Sequence, residues 1–452
     1  VRRRRRLFIH TNMHADIIVI GAGAAGLMAA AGAAERGRQV VLLEKNRKPG
    51  AKILMSGGTR CNITQSTDAR GIVEAFGLRG KFLHSALAAL SPEQLVDFFE
   101  ADGVKTKVES TGKIFPQSNK AVDVLQALLA RLQRSGAELI TSTGVVDIRQ
   151  VSGSSESDSA SAPRSPERFV VNTEEQQFTA ESLILTTGGQ SYPGSGTTGD
   201  GYAWAKQLGH RIVPPRPALV PLTTDVRWVL ALQGVTVPDV GVSLHEVQNA
   251  TGDALREFSP QHPPSLSKPL DRRRDSFLFT HFGLSGPAIL DISSRYTADE
   301  RQQSLVLCCD FLPAVSEQQL LEAIKDAASS LGSQPLISTL PGTLPKRLLE
   351  SLFALCGVPA DRRAAELKAA ERSALINAIK RAVIPIAGTL GFKKAEVTAG
   401  GVDLGEVDSR TMESKHCPGL FLAGEILDLD GPIGGYNFQA AFSTGFLAGQ
   451  HA

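Results

Sequence analysis

Short, wholly apolar runs alternate along the chain with alanine-rich and charged stretches of helical spacing, the pattern of an α/β protein. Residues 16–20, DIIVI, are apolar on both sides of any pleat, which predicts a strand buried on both faces. The run breaks at Gly21 into GAGAAG. The following LMAAAGAAERG (27–37) has the small side chains that let a helix lie close to a sheet, with Gly37 as its stop. RQVVLLEKN (38–46) supplies a second strand, and SLILTTGGQSYPG (182–194) reads as another buried parallel strand ending in a glycine pair. Residues 418–449, PGLFLAGEILDLDGPIGGYNFQAAFSTGFLAG, give strand, acidic turn, double glycine and an alanine-rich helix.

Between these landmarks the texture changes twice. Residues 215–314 are rich in prolines and short apolar runs such as DSFLFTHF and SLVLCCDF, which predicts a β-rich domain, and 315–386 show helical spacing with charged faces, which predicts a helical insertion. FKKAEVTAGGVDL then returns the chain to the first domain, over 387–452. The first domain therefore spans 15–214 before this interruption, with the polar, low-complexity stretch 152–167 as a disordered hairpin excursion. Residues 1–14 read as a disordered tail, and Met13 as the preferred start.

Composition narrows the function classes. A chain of 452 residues, 42% hydrophobic and 21% charged, is large enough for two or three domains. The net charge of +2 includes the run Arg2–Arg6, so the remainder is net negative, which argues against bulk nucleic-acid binding through phosphates. No stretch reaches the roughly 18 to 20 apolar residues of a membrane span, and LFIHTNMHA after the arginines is no export signal. Five cysteines, Cys61, Cys308, Cys309, Cys356 and Cys417, make no C-x-x-C pair and no even framework. That excludes dithiol flavoenzymes and metal sites of this kind, and points to a reducing compartment, the cytoplasm.

The first turn has the chemistry of a phosphate cradle. Gly21 makes the tight turn, Gly23 lets the backbone approach a pyrophosphate, and Gly26 permits close helix–strand packing, with Ala24 and Ala25 opening a helix whose positive end faces the anion. Glu44, beside Lys45 at the end of the second strand, is placed to accept both hydroxyls of an adenosine ribose and to repel a 2′-phosphate. The combination points to FAD or NAD rather than NADP.

The segments downstream of the second strand favour FAD over NAD. KPGAKILMSGGTRCNIT (48–64) offers Lys52, Ser56, Gly57, Gly58, Arg60, Cys61 and Asn62 as a donor-rich, anion-tolerant loop, suited to a permanently held flavin. Gly188 and Gly189 close the third strand beside the cofactor. Gly424 and Glu425 end the last strand, with Glu425 placed for the hydroxyls of a ribityl chain, and Gly434, Gly435 and Tyr436 open a helix aimed at the flavin ring. Asn437 and Gln439 bond either that ring or the backbone turn. Asp200 reads as a helix cap.

These stretches also carry a resemblance. AKILMSGGTRCNIT, the block 86–121, SFLFTHFGLSGPAILDISS (276–294) and AEVTAGGVDLGEVDSRTMESKHCPGLFLAGEILDLDGPIGGYNFQAAFSTG follow one another as in the YhiN/BaiN family (also BaiN/RdsA) of NAD(P)/FAD-dependent oxidoreductases, which the chain resembles over most of its length. Thr59 stands where many members have glycine, and Gln65 where asparagine is usual. Pro432 and Ile433 before the last glycine pair are a third departure. The resemblance implies a Rossmann-type FAD-binding domain interrupted by a β-rich domain with a helical insertion. It also implies hydride transfer through the flavin to an activated carbon–carbon double bond of a small molecule or nucleobase.

Arg60, Cys61 and Tyr436, with His281 as a further candidate, could each donate a proton or polarise a carbonyl in such a reaction. A small buried loop residue is the plain alternative for Cys61, and a structural salt bridge for Arg60. No second G-x-G-x-x-G with a strand-end acid occurs after residue 60, so NADH or NADPH would act as a transient donor visiting the substrate cleft. A flavin-dependent RNA-modifying enzyme, a flavoprotein oxidase and a non-catalytic flavin-binding protein are the rival readings.

Overall fold

The computed structural model describes residues 12–151, 168–247, 259–331, 333–340 and 344–452. The expected excursion at 152–167 and most of the expected tail lie outside them. Met13 and His14, expected in that tail, instead belong to the first strand, Asn12–Ile20, because Met13 pairs with Phe178 and His14 with Thr179. The chain divides into two compact units, one running to Pro215 and resuming at Val397, the other Arg216–Glu396.

In the first unit the strand Asn12–Ile20 (β1) lies between two parallel neighbours, Val40–Leu43 (β2) and Gln177–Leu185. Ile17, Ile18 and Val19 are fully buried, as an all-apolar strand covered on both faces requires. Leu420–Leu422 adds a further parallel strand beside Leu183–Leu185, and Glu138–Ile140 extends the other side beside β2. The helix Ala24–Ala34 (α1) is buried at every position from Ala25 on, because the helix Tyr436–His451 covers it. The approach is close enough to require glycine. A Cβ on Gly445 would lie 2.3 Å from the Ala25 carbonyl oxygen, and one on Gly449 2.4 Å from that of Ala29. One helical turn separates the members of each pair, so the two backbones touch along a single ridge.

The second unit is a seven-stranded antiparallel sheet in the order Ala382–Pro385, Leu305–Asp310, Thr236–Glu246, Asp271–Thr280, Gly283–Ser285, Leu222–Thr223, Gly388–Thr389. Helices Glu317–Ser330, Lys346–Leu355 and Ala369–Lys380 share one core with it: Phe277, Phe279 and Phe311 of the strand layer pack in the same cluster as Leu320, Leu348 and Ile379. The sequence boundary at 387 is corrected. Gly388 and Thr389 hydrogen-bond in the sheet opposite Thr223 and Leu222, so this strand belongs to the second unit and the return begins at Val397.

His210 is the buried titratable group of the first unit with the clearest linkage to folding. Its Nε2 shares a hydrogen bond with Ser414 Oγ at 2.8 Å, and its Nδ1 lies 3.3 Å from Glu406 Oε2. Burial holds its pKa below the usual 6.5 against the opposing pull of Glu406. The unfolded chain therefore binds the proton first as pH falls, so this contribution to stability is complete above about 6.5 and is lost as pH drops toward the folded-state value. His210→Asn should shrink the fall in urea midpoint between about pH 7 and about pH 5; an unchanged fall would assign the pH dependence to other groups.

Candidate functional site

The register of the first unit's sheet aligns four strand ends. Ile20 pairs with Leu43 on one side and with Leu185 on the other, and Leu185 pairs with Leu422. Gly21, Glu44, Thr186 and Ala423 therefore leave the sheet at one carboxyl edge, on either side of β1. That edge is where open α/β sheets hold their ligands.

The three glycines of the first turn have three different causes. Gly21 has φ +102°, and a Cβ there would meet the Thr186 carbonyl oxygen at 2.7 Å. A Cβ on Gly26 would fall 1.9 Å from the Gly21 oxygen, so this glycine lets α1 start tight against the strand. Gly23 differs: its φ is −85° and a Cβ would meet nothing within 4 Å. Neither backbone strain nor packing within the chain demands glycine there, whereas a group approaching the start of α1 would.

Glu44 is buried and fixed by the loop. Its Oε2 accepts the Ala22 N–H and its Oε1 the Asn46 N–H, each at 2.8 Å, which leaves lone pairs on both oxygens. Lys45 turns outward. Its Nζ donates to Thr198 Oγ1 and Asp200 Oδ2 at 2.6 Å on the surface. Asp200 is thereby an ion-pair partner; the N-cap of its helix is Gly199.

Lys52 and Glu425, far apart in sequence, are brought together. Lys52 Nζ donates to Glu425 Oε2 and to Ser191 Oγ, both at 2.6 Å; Glu425 Oε1 accepts from Ser191 Oγ and from the Thr398 N–H, both at 2.8 Å. Thr398 Oγ1 in turn accepts the N–H groups of Gln190 and Ser191. A Cβ on Gly189 would strike that hydroxyl at 2.4 Å, and one on Gly188, at φ +72°, would strike Thr197. The glycine pair thus serves close packing of four segments around one carboxylate.

The loop 56–62 departs from expectation in its details. Ser56 is extended (ψ 151°) and its hydroxyl donates to the Ile53 carbonyl, while Gly57, Gly58 and Thr59 follow in the left-handed region. Thr59 at φ 69° is β-branched where glycine fits best. Arg60 makes the structural salt bridge that was its alternative reading: its Nη1 donates to Glu109 Oε1 at 2.6 Å, and its guanidinium lies 4.0 Å from the Phe115 ring centre. Cys61 is corrected from candidate acid to core residue. It is fully buried, and burial pushes its thiol up to about 12, out of reach of proton exchange with a substrate. Asn62, three residues before Gln65, is buried with its Oδ1 unpartnered, and Gln65 Oε1 and Thr187 Oγ1 share that condition. The loop expected to be rich in anion-binding donors ends in bare acceptors.

The turn that opens the helix Tyr436–His451 is equally specific. Gly435 (φ +94°) presses on Thr64, where a Cβ would lie 2.6 Å from backbone, and Gly434 (φ +130°) sits under the Tyr436 ring. Gly424 (φ +79°) faces Ala25, and its N–H donates to Thr444 Oγ1. Asn437 takes the second of its two expected roles, bracing the turn: its Oδ1 accepts the Gly431 N–H and its Nδ2 donates to the Gly431 and Pro432 carbonyls. Gln439 is corrected to a core residue. It has no exposed surface, accepts from Thr64 Oγ1, and donates to Ser443 Oγ and the Leu90 carbonyl. Tyr436 stays half-buried at the helix start. His281 lies in an exposed loop of the second unit, its ring against Phe282.

Sequence reasoning missed Thr187, Ser191, Thr398 and Arg79, whose guanidinium ties Asp428 and Asp430 ahead of the glycine turn. TTGG at 186–189 pointed toward the first; nothing local marks the others. Among the described residues no cluster of three His, Cys, Asp or Glu could hold a metal ion, and no helix is long and apolar enough to cross a membrane.

Residues 15–451 match the HI0933-like protein Rossmann domain family. The chain belongs to that family. It is 33% identical over 438 residues to a ribosomal RNA dihydrouridine synthase of Escherichia coli, covering 96% of this chain and 97% of that one. It is 31% identical over 437 residues to a 3-dehydro-bile acid delta(4,6)-reductase of Clostridium scindens, covering 96% and 98%. Among solved structures, the open conformation of a flavocytochrome c3 fumarate reductase is similar at 16% identity and a TM-score of 0.47, over 97% of this chain and 78% of that one. The resemblance drawn from the motifs and the α/β, Rossmann-type class are thus borne out.

The glycine geometry separates cradle from packing. Gly23→Ala should change stability by less than about 1 kcal/mol yet weaken FAD uptake about tenfold or more, whereas Gly26→Ala should cost about 3 kcal/mol through its backbone clash. Urea unfolding and FAD titration of both variants check this; undiminished FAD binding by folded Gly23→Ala would remove the cradle assignment.

Proposed function

We propose that this protein is an FAD-dependent oxidoreductase that saturates a carbon–carbon double bond conjugated to a carbonyl, in a small molecule or a nucleobase. The observation that carries the reading is Gly23, a glycine at the start of a buried helix that the chain's own packing does not require. Both relatives' names describe related chemistry: making dihydrouridine saturates a ring bond conjugated to a carbonyl, and a delta(4,6)-reductase of a 3-oxo compound does the same.

In this reading the first-turn N–H groups of α1 receive the pyrophosphate and Glu44 accepts the adenosine ribose hydroxyls with its remaining lone pairs. Glu425, held by Lys52, Ser191 and Thr398, takes the ribityl hydroxyls. The helix Tyr436–His451 turns its positive end toward the ring and favours negative charge there. When bound, FAD would supply a two-electron carrier whose reduced form donates hydride. Of the candidate proton donors, Tyr436 at the helix start is retained, since Cys61 is buried and Arg60 is tied to Glu109. NADH or NADPH serves as the transient electron source, and the cytoplasm, with its reduced thiols, as the compartment of five free cysteines.

The experiment is anaerobic. The purified protein should be yellow, release FAD on denaturation, and bleach with NADH or NADPH. The reduced protein should then be reoxidised by a conjugated 3-oxo-diene or by ribosomal RNA lacking dihydrouridine, with the saturated product seen by mass spectrometry. A flavin that bleaches but is reoxidised only by oxygen, with peroxide formed, would replace the reductase by an oxidase. One inert to both nicotinamides and both substrates would leave a binding protein.

A further inference from the structure

The acidic turn ahead of the last helix holds two carboxylates that share one guanidinium. Arg79 Nη2 lies 3.1 Å from Asp428 Oδ2, and its Nη1 lies 2.8 Å from Asp430 Oδ1. The two aspartate side chains are only 9% and 10% exposed. Like charges so far out of water raise each other's cost, and a guanidinium, always charged and fork-shaped, offsets both at once. Asp428 is held from its other side as well. Its Oδ1 accepts the Gly400 N–H at 3.0 Å, and its own N–H donates to the Val402 carbonyl at 3.0 Å.

Arg79 is itself mounted on a tight support. It belongs to the 3-10 segment Gly77–Leu83, which folds back on the helix Ala69–Ala75 so closely that a Cβ on Gly80 would lie 1.9 Å from the Val73 carbonyl oxygen. Phe76, where the two elements meet, presses on the same acidic turn: a Cβ on Gly431 would lie 2.7 Å from its ring. Phe76 and Arg79 thus grip Asp428, Asp430 and Gly431 together. From Gly431, which Asn437 brackets, the chain runs directly into Gly435, the N-cap of the helix Tyr436–His451.

The charges in this turn work against the helix it precedes. The positive end of the helix favours electrons placed in a ring beside it, and carboxylates in the preceding turn disfavour them. Arg79 cancels one unit of that opposing charge and keeps the other on its own guanidinium.

We propose that Arg79 is a positioning residue for the flavin site: by pairing with Asp428 and Asp430 it fixes the turn that starts the last helix and keeps the charge of those acids from opposing reduction of the ring. It acts through the turn rather than by touching the cofactor. The proposal rests on the FAD reading above and deepens it.

The test uses the full FAD-loaded chain, equilibrated without oxygen against a reference dye so that the fraction of reduced flavin is read from absorbance. Arg79→Met should shift the reduction equilibrium about tenfold or more toward oxidised flavin, about 30 mV for two electrons. Arg79→Lys should recover part of the loss. Adding Asp428→Asn to Arg79→Met removes the uncompensated charge while leaving Oδ1 for the Gly400 N–H, and should recover most of it. Asp428→Asn alone keeps Arg79 and should move the equilibrium the opposite way, so an Arg79→Met chain that fails to fold or to hold FAD leaves the test standing. An equilibrium unmoved by Asp428→Asn, or a loss in Arg79→Met that Asp428→Asn does not recover, overturns the proposal while the FAD reading stands. An unsubstituted chain that takes up no FAD removes both.

Discussion

The contact on which the first unit depends is backbone against backbone, where Gly445 and Gly449 lie on the carbonyls of Ala25 and Ala29. Side chains at those two positions would push the helices apart, and the turn at Gly434–Gly435 would withdraw with the helix it begins. That close approach holds α1, with the Gly21–Gly26 turn at its head, and the glycine turn of the last helix at one strand edge. The register through Ile20, Leu185 and Leu422 then sets the depth at which each loop leaves the sheet. Apolar burial alone would not specify this geometry, since alanine-rich surfaces slide; the glycines make one separation and one rotation the tightest.

Around that scaffold the polar groups divide by whether the chain satisfies them. Asn437 brackets its own turn, and Gln439 spends its whole amide inside the core. Asn62, Gln65 and Thr187 each keep an atom unspent. The first group keeps loops where they are.

Local pattern revealed most of the first unit. DIIVIGAGAAG and the acid at Glu44 mark a strand, turn, helix and strand because each step depends on neighbours a few positions away. What escaped the sequence depends on distant partners. Arg60 reads as an anion ligand until Glu109, 49 positions on, takes it, and Gln439 reads as a ring contact until Thr64, 375 positions back, takes its oxygen. Cys61 lies among glycines that suggest an open loop, yet its left-handed backbone (φ 62°) carries the side chain into the core. The boundary at 387 failed for a related reason: a two-residue strand, Gly388–Thr389, is too short to show any periodicity, and only its pairing with Leu222–Thr223 assigns it.

The close helix pair also bears on synthesis. Arg36, just past α1, donates to the carbonyl of Gly449, 413 positions later. During translation α1 therefore emerges long before the surface that covers it, and its alanine-rich faces stay wet, or in the hands of a chaperone, until the last helix leaves the ribosome. The turn at the head of α1 is thus translated long before the helix that fixes its position.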